Sequence, residues 1–249
     1  MTIIVALLGL CVGSFLNSVI FRLEQGKSIL HGRSSCPHCA HVLAWEDLIP
    51  LASFLLLRGK CRYCEKPISW QYPLVELATG LLFVALFIFG LSFFTYIIAS
   101  LLILIFVYDL KHFIIPDKFV YPAIGITFAF GIWNLEFGIS APLAQSILAA
   151  IGAPLFFFAI YALSRGAAMG FGDVKLAFFM GLFLGWPNIL VALFSAFFLG
   201  ALVGIFLVLS RKKEWKSQVP FGPFLIAGTF FALFWGENVI RWYLNMILV

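Results

Sequence analysis

Eight long apolar runs constrain this chain more than any other feature. They fall at Ile3 to Phe21, Leu74 to Phe89, Phe93 to Tyr108, Phe119 to Trp133, Leu143 to Leu163, Val174 to Trp186, Ile189 to Leu209 and Phe221 to Trp235. A bilayer core about 30 Å thick is crossed by roughly 20 apolar residues of α-helix, because a helix satisfies its backbone polar groups within its own segment. The runs reach or approach that length. The expected fold class is therefore an all-α polytopic membrane protein with about eight transmembrane helices. With 63% hydrophobic and only 11% charged residues, a soluble domain is excluded. The first run has no basic stretch ahead of it and no small-residue cleavage site after it, so it reads as a retained helix rather than a signal peptide.

The lysines and arginines give an orientation. Seven lie between residues 22 and 66, and more follow at Lys111, Lys118, Arg165, Lys175, Arg211, Lys212, Lys213 and Lys216, all in connections on one side. Only Arg241 falls on the other. Basic residues collect on the cytoplasmic face, so the expected topology puts both termini outside and the basic loops inside. The net charge of +5 is then a topology signal, and no basic stripe interleaved with aromatics suggests nucleic acid. The lipid bilayer is the partner that composition implies.

Three parts follow: a first transmembrane helix (1–22), a small module (23–72) and a seven-helix core (73–249). The module carries Cys36-Pro37-His38-Cys39 and Cys61-Arg62-Tyr63-Cys64. Two CxxC turns present four thiolates, the donor set of a closed tetrahedral zinc site. A redox CxxC normally comes alone, so structural zinc on Cys36, Cys39, Cys61 and Cys64 is preferred over free thiols or a redox pair. His31, His38 and His41 are alternative ligands. Cys11 reads as a small buried residue. Gly13, Ser14, Asn17 and Ser18 mark one face of the first helix, read as a close-packing surface.

Several acids interrupt the apolar background. In Met169-Gly170-Phe171-Gly172-Asp173 the glycines allow a tight turn and Asp173 stands at the first turn of the following helix, as a cap or as a chemical group. Asp109 ends the run Phe93 to Tyr108. Asp117, after Pro116, reads as a solvated cap, and Glu76 as either an exposed first-turn residue or an interior polar group. Asp109 and Asp173 are expected at the same membrane boundary, where two carboxyls sharing a site share one proton. That is the state with which an aspartic protease activates water and polarises a peptide carbonyl. Helix ends suggest a division, with the charge on Asp173 at a helix N-terminus and the proton on Asp109 near a C-terminus. A transporter or channel with intramembrane acids and a regulatory zinc module is the alternative, although no internal repeat supports it.

At these residues the chain resembles the bacterial type IV prepilin peptidases (leader peptidase / N-methyltransferase), which are GxGD-type membrane aspartic proteases. The resemblance rests on Gly170 to Asp173, on Asp109 with Ile115-Pro116, on Gly13-Ser14-Phe15-Leu16-Asn17 and Arg22, on both CxxC pairs, on Ile68-Ser69 with Tyr72-Pro73-Leu74-Val75-Glu76, and on Pro220-Phe221-Gly222-Pro223. It implies that Asp109 and Asp173 are the catalytic pair. It also implies cleavage of the basic leader from type IV prepilins or pseudopilins on the cytoplasmic side of the inner membrane, then methylation of the new N-terminus from S-adenosylmethionine. Pilus assembly, type II secretion or DNA uptake would be the setting. Ser18 departs from the family, where an apolar residue is usual, as does Glu24, where proline is frequent.

Overall fold

The computed structural model describes residues 1–29, 32–136, 143–167, 169–210 and 219–247. The alternative ligand His31 and the basic residues Arg211, Lys212, Lys213 and Lys216 lie outside the described residues. The long helices are α1 (Thr2–Glu24), α3 (Gln71–Ile88), α4 (Phe93–His112), α5 (Asp117–Glu136), α6 (Leu143–Leu163), α7 (Phe171–Leu184), α8 (Asn188–Leu209) and α9 (Gly222–Ile247). A short α2 (Ala52–Leu56) and a single 3₁₀ turn (Trp45–Leu48) sit between α1 and α3. Each apolar run falls on one of the long helices. Among the described residues six helices are long and apolar enough to cross a membrane: α1, α3, α4, α6, α8 and α9. At 14 residues α7 is about 21 Å long, short of the hydrocarbon thickness.

The chain divides into two compact units, Met1–Leu104 and Ile105–Val249. In the first, α1 packs along α3. Small residues permit the approach, since a Cβ at Gly9 would lie 2.8 Å from the Gly80 backbone and one at Gly13 would lie 2.7 Å from Glu76 Cα. The polar members of the same α1 face bond outward from it. Asn17, 2% exposed, donates from Nδ2 to the Tyr72 carbonyl at 3.0 Å and accepts from Gln71 Nε2. Ser18 Oγ meets Ser34 Oγ at 3.2 Å, and Arg22 donates to the Ile29 and Gly32 carbonyls. The face is thus a packing surface, as expected, and also a polar clasp on the loop that follows. Cys11 corrects the expectation: it is exposed, turned away from the helix contact.

In the second unit α7 is the centre, packed against α5, α6, α8 and α9. Its Leu176, Ala177, Phe179 and Met180 are fully buried, which is why the helix is apolar on every side. Gly181 lies where a Cβ would collide with the Ala149 backbone of α6, so this pair meets backbone to backbone.

Candidate active site and metal centre

Two buried acids of the second unit, Asp173 and Asp109, come from α7 and α4. Gly170 is the N-cap of α7, with extended backbone, and Asp173 is the third helical residue rather than the cap itself. From there its carboxylate turns back to accept the Gly170 backbone N–H, half of a capping box. Asp173 is nevertheless 8% exposed. Asp109, one turn before the end of α4, is 4% exposed and accepts the backbone N–H of Gly222, the first residue of α9. Asp109 and the residue preceding Asp173 are both close to Ile115. Both carboxyls therefore face the N-terminus of a helix, and the dipole argument that separates their roles does not distinguish them in the folded chain.

Ile115 joins these parts. It is 8% exposed, and a Cβ at Gly172 would come within 3.0 Å of Ile115 Cβ. A Cβ at Gly222 would reach 3.2 Å from Ile115 Cδ1 and 2.5 Å from Asp109 Oδ2. The glycine before Asp173 and the glycine beside Asp109 thus make room for one isoleucine and one carboxylate. In the sequence Gly222 carries no sign of its place beside Asp109, because the two are 113 residues apart and meet only in the fold. Asp117 is corrected too. The Pro116 carbonyl starts α5, while Asp117 receives Lys175 Nζ at 2.7 and 2.9 Å. That ammonium also lies 5.4 Å from the ring centroids of Tyr121 and Phe171. The pair ties the start of α5 to α7, two residues from Asp173; its signal in the sequence is an acid after Ile-Pro and a lysine at the second position after Asp173.

In the first unit the four cysteines converge. Their sulfurs all lie within 4.8 Å of one another, with Cys36 Sγ to Cys64 Sγ at 3.9 Å. A tetrahedron with metal–sulfur bonds of about 2.3 Å has edges of roughly 3.8 Å, so the cluster fits a zinc ion with little closing. The two turns are built alike. Cys36 N–H donates to His41 O and Cys61 N–H to Lys66 O, with Ala40 and Glu65 both at φ 56° after the second cysteine of each pair. His41 packs against Tyr63 with tilted rings 3.7 Å apart between centroids, and the group that converges is the four sulfurs. Without a metal the Cys64 thiol is pushed up to about 11: the Lys66 backbone pulls it down, but burial and the neighbouring thiols outweigh that. Metal binding must therefore displace protons.

Asp47 braces this centre. It accepts Arg62 Nε at 2.8 Å, Tyr63 O–H at 3.0 Å and the Ala44 N–H at 3.1 Å. Burial alone would raise its carboxyl, yet these bonds hold it below the ordinary carboxylate value. Glu76 takes the interior option: at 7% exposed it accepts the Leu51 N–H at 2.8 Å and a bond from Ser14.

Comparison with known proteins decides the family. Residues 7–89 match the bacterial peptidase A24 N-terminal domain, and residues 96–205 match the type IV leader peptidase family. The chain belongs to the type IV leader peptidase family. It is 34% identical to a prepilin leader peptidase/N-methyltransferase of Aeromonas hydrophila, over 98% of this chain and 94% of that protein. A protein of the same name from Legionella pneumophila is 33% identical over 98% and 95% of the two chains. A third, from Stutzerimonas stutzeri, is 35% identical over 96% and 92%. No solved structure matches. The two family matches divide the chain between α3 and α4, so the four-cysteine cluster falls in one match and both acids in the other.

Proposed function

We propose that this chain removes the leader from type IV prepilins or pseudopilins by means of Asp109 and Asp173, as its relatives' name describes for them. The observation that supports the reading is the burial of two carboxyls on separate helices, with Ile115 lying beside Gly172, the residue before Asp173, and beside Gly222, the neighbour of Asp109. One ionised carboxylate takes a proton from a water molecule as the water attacks the scissile carbonyl. The other, protonated, donates a hydrogen bond to that carbonyl oxygen and then its proton to the leaving amine. Gly222 N–H and Gly170 N–H hold the two carboxyls in place through the reaction.

The basic loops support a site on the cytoplasmic face of the inner membrane, with α5 and α7 completing eight membrane helices and both termini outside. The four cysteines hold structural zinc in this reading, since a module of about 50 residues has too small a core to fold without help. Methylation of the new N-terminus from S-adenosylmethionine follows from the relatives' name and is assigned to no residue.

The test is cleavage of a prepilin peptide by purified protein in detergent, with Asp109→Asn and Asp173→Asn beside wild type. Each substitution keeps the shape and removes the acid–base function, so cleavage falls by at least about 10²-fold. Mass spectrometry with and without S-adenosylmethionine scores cleavage and methylation separately. Unchanged cleavage by either variant ends the dyad reading.

A further inference from the structure

Inside the module, the stretch Ile49-Pro50-Leu51-Ala52-Ser53-Phe54-Leu55-Leu56-Leu57 is as apolar as the membrane helices. Of these nine residues Phe54 alone is buried, against Trp70 with ring centroids 5.1 Å apart and against Gly59, while Ile49, Leu55 and Leu56 are exposed and the rest half-buried. Leu55 is 71% exposed and Leu56 84%, with Trp45 at 74% and Trp70 at 70%. A patch of this kind in water is a liability unless something covers it.

Depth identifies the cover. Leu51 N–H donates to Glu76 at 2.8 Å, and Glu76 is the sixth residue of α3, about 7.5 Å along that helix from its first residue. Since α3 is long and apolar enough to cross a bilayer, the start of α2 is pinned beside the membrane-entering turns of α3 rather than above them. Leu51 makes this contact at φ 58°, a conformation that non-glycine residues seldom adopt. Immediately after the stretch, Arg58 and Lys60 are both exposed.

We infer that residues 49–57 form an interfacial anchor in the headgroup–acyl boundary of an anionic bilayer. Leu55 and Leu56 enter the acyl region, Trp45 and Trp70 sit at headgroup level, and Arg58 and Lys60 meet lipid phosphates. The four-cysteine centre is thereby held at the membrane surface through two attachments, this anchor and its covalent join to α3.

The experiment uses the full chain in vesicles of phosphatidylethanolamine and phosphatidylglycerol, with a photoreactive benzophenone side chain placed singly at Leu55, Leu56 or Val42. Val42, in the first cysteine turn, is exposed at 43% and serves as the aqueous control. Zinc content confirms that each variant is folded. Irradiation and mass spectrometry give lipid adducts at 55 and 56 several-fold above those at 42, and the yield at 56 drops when phosphatidylglycerol is replaced by phosphatidylcholine. Equal yields at all three positions, or adducts to a second copy or to added prepilin peptide in place of lipid, overturn the anchor. A yield at 56 indifferent to lipid charge overturns the role of Arg58 and Lys60.

Discussion

Replacing Gly222 by alanine tests the geometry of the acids without removing either one. The added Cβ would stand 2.5 Å from Asp109 Oδ2 and 3.2 Å from both Asp109 Cγ and Ile115 Cδ1, where ordinary contact begins at 3.4 Å. Asp109 must therefore retreat by about 0.9 Å, and Ile115 cannot yield freely because Gly172 confines its other side. A misplacement of about 1 Å in a catalytic constellation costs on the order of 10²-fold in rate, or about 2.7 kcal/mol of transition-state stabilisation. Crowding a buried site in this way also costs about 1–3 kcal/mol of stability, so folding is followed separately from rate. The assay is steady-state cleavage of a prepilin peptide, with kcat and KM separated and thermal unfolding in detergent run alongside. The expected result is a loss in kcat of about 10²-fold in protein that unfolding shows to be folded at the assay temperature. Gly152→Ala and Gly204→Ala, which meet nothing within 4 Å, keep wild-type cleavage. Full activity in Gly222→Ala would refute the argument that Asp109 is held against α9 for catalysis.

Other outcomes follow from the first unit. On the proposed zinc reading, Cys61→Ser takes one buried sulfur from the four-cysteine cluster, so zinc content measured by elemental analysis falls from about one per chain towards zero. Asn17→Ala leaves the Tyr72 carbonyl and the Gln71 amide without their partner and costs about 1–3 kcal/mol, read from denaturant unfolding in detergent. Asp47→Asn weakens the brace on the second cysteine turn. Because the Asp47 carboxyl is held below its unfolded value, its contribution is present above about pH 3.9 and is lost as pH falls through the folded value. The melting-temperature gap between wild type and Asp47→Asn is therefore open at pH 7 and closes in acid.

What the sequence by itself determined is what depends on local chemistry. Run length and apolarity located each long helix, because a backbone in lipid has no partner but itself. The two CxxC pairs pointed to one four-sulfur cluster, since each turn fixes two sulfurs within a few residues. Asp109 and Asp173 stood out because acids are rare in such surroundings. Tertiary structure alone decided what those residues face. Glu76 is buried because Leu51, 25 residues earlier, lends it an N–H, and Asp117 is an ion-pair partner because Lys175 arrives from another helix. Asp109 meets the start of α9 across more than a hundred residues of chain, so its position near a helix C-terminus said nothing about the dipole it would feel. Cys11 is exposed where an apolar context suggested burial, for in a chain this apolar hydrophobicity no longer separates the interior from the surface.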